Sequence, residues 1–142
     1  MKDMTWPIRK VASIADMDPR ILHQWFTTGV LHYGREDQHS LGIGVRSSLS
    51  RPRAIEATTL RLLTRWGLTA SRAARAIFKF SHDLNCELYP LGVTALVLHQ
   101  SGAQVVNLDP DARISDFSSN SVCVVVNMNE IVKHVDCELA KL

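Results

Sequence analysis

Near residue 82 the spacing of apolar residues along this chain changes from the ~3.6-residue period of helices to the alternation of strands. Before the change, Ile8, Val11, Ala12 and Ala15 recur at i, i+3, i+4 and i+7, and Leu22, Trp25 and Phe26 share one side of a second helix. After it, residues 94–99 and 104–108 alternate on either side of Ser101-Gly102, a hairpin turn. This order predicts an α+β fold. With 46% hydrophobic and 21% charged residues, the chain has enough apolar surface for a core, so disorder is not expected. Charge divides at the same place. Residues 1–82 hold thirteen of the sixteen Lys and Arg and six of the fourteen Asp and Glu, a net +7, leaving three against eight, a net −5, for the rest. A basic half joined to an acidic half predicts one module that faces a polyanion and one that does not.

Local signals place the elements. Pro7 opens a first helix that runs to about Ala15, and Asp16-Met17 makes a turn. Asp18 caps a second helix with Pro19 at its first position, and Gly29 ends it. Residues 30–50 carry three glycines, a polar middle and β-compatible flanks at 30–33 and 43–46, which predicts a β-hairpin. A third helix starts after Ser50 or Arg51, buries Ala57, Leu60 and Leu63, and stops at Gly67. Thr69 caps a fourth, with Ala73, Ala74, Ile77, Phe78 and Ser81 inward and Arg72, Arg75 and Lys79 outward. Residues 122–126 are apolar on both faces, which predicts a central or covered strand. Met128, Ile131, Val132, Val135, Leu139 and Leu142 stripe a final helix that begins near Asn129. The expected division is therefore an α-α-β-β-α-α unit over residues 1–82 and a β-β-β-α unit over 85–142.

Between Ile8 and Leu31, a short helix ends in an Ala-containing turn and a Pro-started helix carries Trp25 and Phe26 and closes on Gly29-Val30-Leu31. This stretch resembles the opening of MerR-type regulators and of excisionase-like modules. The likeness continues through 60–73 and covers about the first 80 residues. It implies a winged helix-turn-helix that binds double-stranded DNA. Asp16 stands where the family has glycine, and aspartate tolerates the left-handed backbone needed there. No long dimerisation helix follows, so effector sensing of the family's kind is not expected.

A helix in the major groove reads base edges with residues near its N-terminus, here Asp18, Pro19, Arg20, His23 and Gln24. Phosphate contacts are expected from Arg9, Lys10, Arg35, Arg46, Arg51 and Arg53. The stripe Ile131, Val132, Val135, Leu139 and Leu142 is expected to pair two copies, so that a homodimer reads a palindromic site as a transcriptional regulator. Two alternatives remain open: an excisionase-like protein that bends DNA, and an adaptor that binds a protein partner. The C-terminal unit is the other place where a protein partner could dock.

Enzymatic, metal and cofactor roles are not expected. The six histidines show no HxxE spacing, no CxxC occurs, and Asp109-Pro110-Asp111 reads as a turn. Cys86, Cys123 and Cys137 are odd in number and far apart, which predicts reduced and mostly buried thiols. Trp6, Trp25 and Trp66 are expected in the core of the first unit. No apolar run reaches the ~18 residues of a membrane span, and the first residues lack the apolar segment of a secretion signal, so a cytoplasmic location is expected.

Overall fold

Pro19 and Pro52 each stand in the first turn of a helix, where a missing N–H costs nothing, and the polypeptide is built outward from those two helices. A computed structural model describes residues 4–38, 47–84, 93–100, 102–109, 111–113 and 122–142, with side chains described to residue 80 in the fourth helix. In chain order these are β1 (Thr5–Pro7), α1 (Ile8–Ile14), α2 (Pro19–Thr27), β2 (Ser48–Ser50), α3 (Arg51–Arg65), α4 (Ala70–Leu84), β3 (Val93–His99), β4 (Gly102–Leu108), β5 (Val124–Asn127) and α5 (Met128–Leu139). The fold is mixed α+β, with five helices and two small antiparallel sheets among the described residues.

The helix ends follow the sequence signals closely. After α1, Asp16 takes φ 55°, its N–H donates to the Ser13 carbonyl (3.1 Å), and the Met17 N–H donates to Ala12 (3.0 Å). That pair of bonds closes the carbonyls a helix end leaves open. Gly29 repeats the device after α2 at φ 81°, with the Val30 N–H on the Trp25 carbonyl at 2.9 Å. Asn127 caps α5 by accepting from the Glu130 N–H.

The hairpin expected over 30–46 is corrected. Residues 30–33 form no strand, because Val30 and Leu31 donate backwards to α2 and the Tyr33 ring stacks on Phe26 with centroids 4.3 Å apart. Ser48–Ser50 pairs instead with Thr5–Pro7, and Gln38 meets Ser48 in one isolated bridge. The second expected flank, 43–46, lies outside the described residues. Asp37 holds this segment: its fully buried carboxylate accepts from the Gly34 N–H, the Ser50 N–H (2.7 Å) and the Ser50 hydroxyl (2.8 Å).

The three-stranded sheet runs β4-β3-β5. Its central strand is β3, with Ala95, Leu96 and Val97 fully buried, whereas β5 is an edge with Val124 and Val125 exposed. The expectation for residues 122–126 is corrected accordingly. Both strands are apolar on both faces, and alternation alone does not rank them.

A single apolar core joins the two halves, from Val11, Leu22 and Leu60 in the helical part to Leu96, Met128, Val132 and Val135 in the rest. Helix α5 packs on α3, β3 and α1, with His134 Nε2 3.3 Å from the Ile14 carbonyl oxygen. The dimerisation stripe is thereby corrected. Ile131, Val132, Val135 and Leu139 are buried inside their own chain, and only Leu142, 54% exposed, remains at the surface. A short amphipathic helix beside an apolar sheet covers its stripe most readily on that sheet. Trp66 is also corrected, being 82% exposed beyond α3, while Trp6 and Trp25 are half-buried against the core. Of the cysteines described, Cys123 is half-buried and Cys137 exposed.

Candidate nucleic-acid interface

Leu22 and Phe26 turn one side of α2 into the core, with Trp25 half-buried beside them, so Arg20, His23, Gln24 and Thr27 are left on the solvent side. Helical geometry alone makes this division. At the N-terminus, the Asp18 carboxylate accepts the Arg20 N–H at 2.8 Å and also binds the Arg20 guanidinium, through Nε at 3.2 Å and Nη2 at 2.9 Å. The Arg20 side chain is nevertheless 91% exposed. In the unbound protein this arginine rests on its own helix cap, and it reaches a base only by leaving that carboxylate. Thr27 and Thr28 spend their hydroxyls on the His23 and Gln24 carbonyls, which leaves the polar reach of this face to Arg20, His23 and Gln24.

The turn before α2 is tied down from α3. Arg65 binds the Asp16 carboxylate at 2.5 Å, and Arg61 Nε donates to the Asp16 carbonyl at 3.3 Å. Arg9, Ser13, Asp16, Asp18, Arg61 and Arg65 border one hollow of 590 Å³ beside the start of α2. Three guanidiniums and the helix N-terminus outweigh two carboxylates there. Arg61 and Arg65 were not among the expected site residues. Their i, i+4 spacing on the polar side of α3 was visible, but their place beside Asp16 comes only from the packing of α1 on α3.

The salt links make both carboxyls more acidic. The Arg65 hydrogen bond holds Asp16 below the ordinary aspartate range, and the Arg20 side chain does the same for Asp18, helped by its backbone N–H. What these links contribute to stability is therefore full above about pH 4 and is lost as pH falls through the lowered values. Arg65→Gln is expected to return the Asp16 carboxyl toward its ordinary range, read from its carbon-13 chemical shift against pH.

The remaining expected contacts divide. Arg9 and Lys10 are exposed on α1, and Arg35 is exposed after α2. Arg46 lies outside the described residues. Arg51 and Arg53 are corrected as phosphate contacts. Arg51 forms a two-point ion pair with Asp136 of α5 at 2.6 and 3.0 Å. Arg53, 16% exposed, lies against Glu36 (3.2 Å), Glu56 (3.3 Å) and Asp37 (3.7 Å). Their acidic partners lie 85 residues away for Arg51, and 17 and 16 residues back for Arg53, beyond what local spacing reveals. The stripe Arg72, Arg75 and Lys79 borders a different hollow, beside His99 and Gln100, where Arg72 donates to the His99 carbonyl at 3.1 Å.

Among the described residues no group of three His, Cys, Asp or Glu is placed to hold a metal ion, and no helix is long and apolar enough to cross a membrane. No protein-family model matches this sequence, and no curated protein matches it significantly.

Proposed function

We propose that this chain binds duplex DNA as a winged helix-turn-helix of the MerR-like kind, a transcriptional regulator that lays α2 in the major groove. One observation carries the reading: the exposed face of α2 presents Arg20, His23 and Gln24 from a capped N-terminus, flanked by Arg9, Arg61 and Arg65. Arginine pairs a guanine at two points and glutamine an adenine, so this face has the chemistry of base reading. The flanking arginines have the chemistry of phosphate contact, which supplies affinity without sequence information. Residues 34–38 and β2, joined by the Gln38 bridge, stand where the wing would lie. The stripe expected to pair two copies is occupied within the chain, so this reading does not require a palindromic site.

Selection of a preferred site from random duplexes, followed by titration, tests the proposal. Arg20→Ala is expected to weaken the selected site by roughly ten- to a hundredfold, the ~1 to 3 kcal/mol of a good base contact, and random DNA much less. Equal losses on both would make Arg20 a phosphate contact. Each of Arg9→Gln and Arg61→Gln is expected to lower the slope of log affinity against log salt by about 0.9 without changing the preference among sequences. A chain that binds no duplex at low salt would favour the adaptor reading instead.

A further inference from the structure

Beyond the C-terminal end of α2, residues 28–32 and α4 bound a cavity of 660 Å³, within the ~300 to 1,000 Å³ span of small-molecule sites. Its walls are apolar, formed by Val30, Leu31, Ala74, Ile77 and Phe78. Glu56 of α3 completes the lining, with a side chain only 7% exposed. Its carboxylate faces Arg53, but Arg53 also faces Glu36 and Asp37, and the buried Arg53 Nε–H is hydrogen-bonded to none of them. Three carboxylates thus converge on one guanidinium. The other basic groups on the lining, Arg75 and His32, are both exposed. Even with Arg75 included, formal negative charge exceeds positive among the described residues around the cavity. In a partly desolvated place such an excess draws a cation and repels an anion more strongly than it would in water.

We propose that this cavity binds a small organic cation, with an apolar body against Val30, Ile77 and Phe78 and a protonated amine at Glu56. The proposal stands apart from the DNA reading, since it uses the opposite end of α2 and none of the residues placed at the nucleic-acid face.

Two probes with the same indole body test it on the full chain: tryptamine, a cation, and indole-3-acetate, an anion, each titrated by isothermal calorimetry and by ligand-observed NMR. Tryptamine is expected to bind saturably and about tenfold or more tighter than indole-3-acetate. Glu56→Gln should abolish that preference while leaving residual binding of the indole body. Ala74→Leu, which fills the cavity from α4 without touching the charged cluster, should weaken both probes. Equal affinities, a preference for the anion, or no saturable tryptamine binding would overturn the proposal. Should Glu56→Gln fail to fold, the order of the two probes on the unaltered chain and the Ala74→Leu result decide.

Discussion

A chain ending at Asn127 is expected to lose the fold of its N-terminal half together with that of the rest. Met128, Ile131, Val132, Val135 and Leu139 are all buried, and they close the core beneath α1 and α3 as well as beneath the sheet. Burying a large aliphatic side chain contributes roughly 1.5 to 3 kcal/mol. Five such side chains together approach the whole of a domain's net stability, about 5 to 15 kcal/mol. The shortened chain should show little helical circular dichroism and no protected amides in α1 or α2. Persistent protection there would mean that the two halves fold independently. Met128→Ala is the milder form of the same experiment, with an expected loss of about 2 to 5 kcal/mol in urea unfolding.

Asp37→Ala should be nearly as damaging, although it removes no apolar surface. The carboxylate is fully buried, accepts from Gly34 and twice from Ser50, and helps to balance Arg53. Removing it strands the Ser50 N–H and leaves Arg53 with less countercharge in a place 16% open to solvent. Breaking a buried pair from one side costs about 3 to 5 kcal/mol. Asp37→Asn, which keeps an acceptor oxygen and the shape, should lose less. An alanine variant as stable as the parent in urea would show that the Gly34 to Ser50 clamp does not hold β2 in place.

How much of this was legible in the sequence depended on the range of the interaction responsible. Asp16 in the left-handed region, Asp18 as a cap, Pro19 at the helix start and Gly29 at its end are set by the backbone preferences of single residues, and all four were readable. The turn at Ser101-Gly102 was readable for the same reason: β3 and β4 pair in register from Val93↔Leu108 to His99↔Gly102. What escaped was pairing at a distance. Nothing local to Ser48–Ser50 points to Thr5–Pro7, and nothing near Arg51 points to Asp136. The DNA-facing side of α2 was legible because its apolar opposite side was. Arg61 and Arg65 were not, because a basic residue on a polar helix face has no signature until the neighbouring helix is placed.

The contact of His134 with Ile14 spans 120 positions of sequence, and it bears on how the molecule comes into being. During synthesis the residues of α2 leave the ribosome long before α5 exists, while the apolar sides of α1 and α3 that α5 will cover are still open. At about 5 to 20 residues per second, that interval lasts several seconds. Closing so long a loop is slow, and surface exposed meanwhile attracts other chains. The reading face of α2 is among the first parts to be made and among the last to gain its support, so this protein is expected to depend on chaperone holding during synthesis more than a self-contained helix-turn-helix would.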